Sequence, residues 1–321
     1  MTDDPATSPS AFTVEHTARG SDILFFWIKW AFLTAITFGI AQAWAKAAWI
    51  RFGAEHARVA GHAFEFTGTG AEIFYNRLKA FGILALLFVA VVVLTVIFGE
   101  AVAVFVSPVF YILAIWIIPL AIVSGWKWRL SRTEWNNIRM RHVGLPMDFA
   151  KMWWKEAFLV VITLGLRLPY QMVRSRKVLV GGARLGNAKA SFVGEESEFW
   201  KIWIRGVLLT LATLGVYSFW ARAQTIRWNW EHTRLGGSRF HATHEGKDCF
   251  LVSLKGFLLT ISTLGIGAAW ALAWLRDWEL SNISLDGSFD VARLENHEDG
   301  QGGGLAEELA ESLGSANGFD L

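Results

Sequence analysis

The chain has 321 residues, of which 53% are hydrophobic and only 18% charged, with a formal net charge of +2 that says little about partners. A mean hydropathy of +0.35 and 18 tryptophans against 4 tyrosines point to a bilayer protein, because indole favours its ring in hydrocarbon and its N–H among headgroups. A single cysteine, Cys249, excludes an internal disulfide framework.

The N-terminal stretch MTDDPATSPSAF is acidic and polar, and Lys29 interrupts the first apolar run, which argues against a cleaved signal peptide. A phrase then begins that recurs along the chain around Gly39, Gly165, Gly215 and Gly265. An acid stands 17 residues before each glycine (Asp22, Asp148, Glu198, Asp248) and a base 10 before (Lys29, Lys155, Arg205, Lys255). Threonine stands 2 before (Thr37, Thr163, Thr213, Thr263) and a large aromatic 5 after (Trp44, Tyr170, Trp220, Trp270). Glu72 and Lys79 mark a fifth, degenerate unit, so that units start near 22, 72, 148, 198 and 248, and the second is 26 residues longer than the others. That excess is the length of one further membrane helix. The runs from Ala80 to Phe98 and from Val109 to Trp126 supply it, with Glu100 and Pro108 in the link.

Within a unit, the acid suits a helix N-terminus. The base lies too far in to cap and is expected to snorkel to the interface. The T-L-G triplet is expected to bend the chain from a membrane helix into an interfacial one, of which WARAQTIRWNWEHTRL (Trp220 to Leu235) is the clearest, carrying Arg222, Arg227 and Arg234. LGGSRFHATHEG (Leu235 to Gly246) and VAGHAFEFTGTG (Val59 to Gly70) follow as short strands or hairpins, with LDGSFDVARL (Leu285 to Leu294) as a shorter echo. The expected fold is mainly α: a multi-pass helical membrane protein built from about five repeats of roughly 50 residues, with about six transmembrane helices. Residues 1–20 read as a polar tail, 21–292 as one membrane domain and 293–321 as a Gly-rich, acidic tail. An alternative topology has the four T-L-G helices dip and return, with only the Ala80 to Trp126 hairpin crossing.

The repeated T-L-G phrase, the arginine-rich helix after it, L-G-G-x-x-F and FTGTGAEIF (Phe66 to Phe74) together resemble the DUF898 (YjgN-like) family of bacterial inner-membrane proteins over roughly residues 12 to 292. The resemblance implies a multi-pass protein of the bacterial inner membrane and carries no established activity, catalytic residue, cofactor or ligand. Tyr170, in place of tryptophan, and the lack of the glycine phrase in the second unit depart from the pattern.

Under six crossings, loops 46–71, 127–147 and 222–247 share one side with 13 Lys and Arg against 8 on the other, which places them in the cytoplasm and both termini outside. Residues 173–197 dissent with 5 bases. The chemistry scan finds no catalytic, cofactor or metal constellation: HATHEGKDC (His241 to Cys249) reads as a polar turn, and His56 and His232 as suited to a helix-end hydrogen bond. The spans contain no carboxylate or histidine at mid-depth in this reading, which lowers the expectation of an ion-coupled pump. The expected function is non-enzymatic: moving or holding a lipid or small solute in the bilayer, or alternatively a structural or adaptor role. Membrane lipids, anionic ones as an option, are the expected partners, and not nucleic acid. Lys29, Lys155, Arg205, Lys255, Arg222, Arg227 and Arg234 are the candidate contacts, with Gly39, Gly165, Gly215 and Gly265 as structural bends.

Overall fold

The computed structural model describes residues 12–286 and Leu294, and within 100–114 only the side chains of Val104 and Pro108. The C-terminal tail expected from residue 293 lies, but for Leu294, outside the described residues. Strand β1 (Phe12–His16) precedes five helical hairpins, each running into strands. Helices α1 (Gly20–Ile36) and α2 (Gln42–Glu55) lead to β2 (Ala57–Val59) and β3 (His62–Phe66), and α3 (Gly70–Phe98) and α4 (Glu100–Ser131) to β4 (Thr133–Trp135) and β5 (Ile138–His142). Helices α5 (Pro146–Ile162) and α6 (Leu168–Gly182) lead to β6 (Ala183–Leu185) and β7 (Ala188–Phe192). Then come α7 (Glu196–Ala212), α8 (Ser218–Glu231), β8 (Thr233–Leu235) and β9 (Ser238–Ala242), and finally α9 (Gly246–Ser262), α10 (Ala268–Ser281) and β10 (Ile283–Leu285).

The ten strands close into one antiparallel barrel, in which each pairs with its neighbours in sequence and β1 pairs with β10 through Phe12↔Leu285 and Thr13↔Ser284. Four hairpins turn on two residues, with pairs Val59↔His62, Trp135↔Ile138, Leu185↔Ala188 and Leu235↔Ser238. Positive φ at Asn136, Asn137, Gly236 and Gly237 gives these turns the twist that tight hairpins require. Alternation sends Trp135, Ile138, Leu185, Ala188 and Leu285 into one buried cluster with Phe12, Val59, Phe64, Leu235 and Phe240. Every strand contributes to that cluster, so it fills the inside of the barrel. The helices form a second closed ring on the barrel, each packed against the next in sequence and α10 against α1.

Six transmembrane helices in a multi-pass bundle are not what this sequence builds, and the T-L-G turn is the reason. At the end of α7 the Thr213 hydroxyl donates to the Leu209 carbonyl (2.7 Å) and accepts from the Tyr217 N–H (2.9 Å). Leu214 and Gly215 both take left-handed φ, +50° and +97°, and the Gly215 N–H reaches back to the Thr210 carbonyl at 2.7 Å. Two left-handed residues closed by that long-span bond reverse a helix within one turn of chain. Positions equidistant from the reversal consequently meet: a Cβ on Gly206 would lie 3.2 Å from the Ala221 Cβ, and one on Gly256 2.7 Å from that of Ala271. The second helix therefore runs back along the first rather than out along a surface. Among the described residues one helix, α3, is long and apolar enough to cross a membrane: it has 29 residues, and its most apolar 18-residue stretch has a mean hydropathy of 3.1 and is not buried.

Three further expectations change with the fold. Gly99, at φ +84°, makes the α3–α4 turn, so Pro108 lies inside α4 and not in a link. Residues 173–197 carry β6 and β7, which pair with β5 and β8 of the same barrel. Loops assigned to opposite sides therefore meet at one end of the molecule, and the charge conflict disappears with the crossings that created it. Phe12–His16, inside the stretch read as a polar tail, forms the closing strand.

Candidate functional site

A layer of aromatic residues joins the barrel to the helices. Phe66 meets Trp128 and Phe192 meets Trp228, each with ring centroids 5.5 Å apart. Glycine leaves the room for them, since a Cβ at Gly68 would lie 2.4 Å from Phe66 and one at Gly194 2.5 Å from Trp228. Where the strand ends in Ala242 instead, His244 fills the space, edge-on to Trp278 and donating from Nε2 to the Glu279 carbonyl at 2.9 Å. His142 takes the phenylalanine's place at the end of the second unit, against Gly182 of the third. Burial pushes both imidazoles, His142 and His244, below their ordinary value. His56 and His232 each donate from Nδ1 to the carbonyl four residues back, at 2.8 Å.

The bases ten residues before the glycines are all exposed on the first helices of their hairpins. Lys255 lies 3.9 Å over the Trp274 ring and Lys29 5.7 Å over Trp30. The structure does not bring the seven candidate cations to one place. It joins two of them: Arg205 and Arg227 line a cavity of about 390 Å³ between α7 and α8, with Lys201, Gln224, Glu198 and Glu231. Arg222 is ion-paired with Glu279 on α10. Arg234 lies on β8 opposite Arg239, not on the arginine-rich helix. Gly39, Gly165, Gly215 and Gly265 all sit in hairpin reversals, at φ +91°, +91°, +97° and +98°.

The sequence reading missed a carboxylate. Glu156, on α5, is fully buried and ion-paired with Arg167 (3.2 Å) and Arg174. Arg174 also approaches Glu196 at 3.5 Å, and Lys177 completes the group at 3.1 Å from the same carboxylate. A buried carboxylate persists only when such partners offset its desolvation. The signal for it was a departure from the repeat: Glu156 stands where Gly206 and Gly256 stand in later units, and Gln171 where Ala221 and Ala271 stand.

Beside this cluster lies a cavity of about 380 Å³, bounded by α4 to α8 and running along α6 from Leu168 to Val180. Its walls include Trp126, Phe149, Trp153, Met172 and Phe199, with Gln171, Arg176 and Asn229 as the larger polar groups. An apolar chamber with a few fixed polar groups is the usual form of a small-molecule site.

The described residues thus form a filled ten-stranded barrel that carries a closed ring of helical hairpins, with cavities between the hairpins. The chain belongs to the DUF898 family, described as bacterial proteins of unknown function, whose pattern matches residues 11–193, 187–241 and 222–312. No curated protein and no solved structure matches it.

Proposed function

We propose that the protein dips its helical hairpins into a bilayer from one side and holds a lipid or small solute among them, without catalysing a reaction. The observation that carries this reading is the exposure of the hairpin tips: Phe38, Leu164, Leu214 and Leu264 are 97%, 94%, 95% and 96% exposed. Each fully exposed leucine or phenylalanine forgoes about 1.5–3 kcal/mol that burial would give, and four equivalent tips repeat that loss unless lipid surrounds them. The lengths agree with this. Ten residues separate each snorkelling base from its turn glycine, about 15 Å of helix, which is half of a hydrocarbon core of roughly 30 Å. From Lys79 to the end of α3 at Phe98 is 19 residues, about 29 Å, which reaches the far leaflet. In this reading the site of action is the bacterial inner membrane, and the bases serve anionic headgroups and not nucleic acid. The filled barrel interior supports holding over conduction through the barrel.

The adaptor reading has one observation of its own. On the outer wall of the barrel Arg141 faces Arg184, Arg184 faces Lys189, and Arg234 faces Arg239. Like charges directly opposite across strands cost stability by themselves, and an acidic partner would offset that cost.

The dipping geometry is tested with single cysteines at Leu164, Leu214 and Leu264 carrying an environment-sensitive fluorophore, in vesicles containing brominated lipid; buried Cys249 leaves the background low. Quenching by deep bromines at the tips, and by aqueous iodide at Lys189→Cys on the barrel, is the expected outcome. Iodide quenching at all the tips would overturn the insertion. A native mass spectrum that shows bare protein in every detergent would overturn the holding.

A further inference from the structure

We propose that the cavity along α6 is a binding site for an anionic amphiphile, with its acyl chain against the aromatic and aliphatic walls and its carboxylate or phosphate on Arg176. Three cations follow one another along α6, and two of them are spoken for: Arg174 by Glu156 and Glu196, and Lys177 by Glu196. Arg176 lines the cavity instead. Its guanidinium contacts the Phe192 ring at 5.7 Å, and its Nε is buried with no hydrogen-bond partner. A guanidinium presents five donors in a planar fork suited to a carboxylate or phosphate, and its burial beside apolar walls without an acid is costly until an anion arrives. Gln171, itself 8% exposed, and Asn229 add amide donors to the same chamber.

The unit-to-unit comparison supports a built site. Replacing the close-packed glycine and alanine of the fourth and fifth units by Glu156 and Gln171 puts a polar amide on the cavity wall, while Glu156 takes up Arg167 and Arg174. The remaining guanidinium is thereby the one left to a ligand. The cavity touches five consecutive helices of the ring, so an occupant would also tie adjacent hairpins together. The inference deepens the holding reading and rests on it, but its test is run in detergent and is independent of whether the tips enter a bilayer.

The probes are oleate, phosphatidylglycerol, oleyl alcohol and phosphatidylcholine, added to the full chain in a non-ionic detergent and followed by native mass spectrometry and thermal shift. One equivalent of oleate or phosphatidylglycerol is expected to bind at least tenfold more tightly than its neutral counterpart. Binding of oleate alone identifies a free acid as the ligand, and binding of phosphatidylglycerol alone a phospholipid headgroup. Arg176→Gln is expected to remove the preference for the anion, Arg176→Lys to retain most of it, and Val173→Trp, which fills the chamber, to remove binding of all four probes. Equal affinity for oleate and oleyl alcohol together with equal affinity for the two phospholipids overturns the proposal, as does an unchanged anion preference in Arg176→Gln. If Arg176→Gln does not fold, the comparison of anionic with neutral probes on the unaltered protein still decides. Tip fluorophores that report water while oleate binds would remove the bilayer reading and leave this site standing.

Discussion

At the scale of single residues, Glu156, His142 and His244 are ionisable groups that the fold buries among the described residues. Removing one partner of a buried ion pair leaves the others uncompensated and costs about 3–5 kcal/mol. Glu156→Ala, which leaves Arg167 without its carboxylate and Arg174 with Glu196 alone, is expected to destabilise the protein in detergent by less than that, because both arginines are about a third exposed and water screens them. It should still lower the thermal midpoint measurably, whereas Lys155→Ala, at an exposed position one residue away, should change it little. A drop in Glu156→Ala no larger than that in Lys155→Ala would show that the carboxylate contributes nothing. His142 and His244, held below their ordinary value by burial, bind fewer protons folded than unfolded. Their contribution is complete above the unfolded value of about 6.5 and declines as the pH falls below it. Thermal midpoints between pH 7.5 and 5 should fall, and less steeply in His244→Gln; identical slopes would exclude His244 as a source. The sequence made the exposed bases legible because they recur at a fixed distance from the glycine. Glu156 escaped because it does not recur, and a search for shared positions passes over the one unit that differs.

At the scale of elements, the T-L-G turn was legible as a break but not as a reversal. Hydropathy shows where an apolar run is interrupted, whereas the angle of departure is set by backbone torsions that the letters Leu-Gly only permit. The distance from base to glycine, half a bilayer, was the available clue against six crossings. Gly215 has open space around it, so Gly215→Ala isolates the torsional cost. With φ at +97° the substitution is expected to destabilise by about 1–2 kcal/mol. Gly53→Ala, within α2 and also in open space, should instead gain several tenths of a kcal/mol from helix propensity. Equal effects of the two substitutions would show that the turn does not need its left-handed glycine. Thr213→Ala tests the same turn through its hydroxyl, which holds both sides of the reversal.

At the scale of the whole molecule, the ten strands are of three or five residues, too short for a period-two pattern to declare itself. The glycine-rich hairpin signals were visible, but ring closure was not, because it depends on β1 in a stretch that reads as polar tail. Deleting residues 1–16 is expected to unpair β2 and β10 at once and to lower the thermal midpoint far more than deleting 1–10. Equal midpoints for the two truncations would mean that the barrel does not rely on its seam.

That seam also sets the order of events during synthesis. Every other pairing joins strands that are neighbours in sequence, β1 with β2 among them, while the second edge of β1 waits some 270 residues for β10. The hairpins can assemble one after another as an open arc behind the ribosome, and the circle locks only when the last strand emerges. Until then both free edges and the inner aromatic layer of the nascent arc stay uncovered, so the first strand made is the last one satisfied, and a chain stalled before β10 leaves an open edge for quality-control proteases to find.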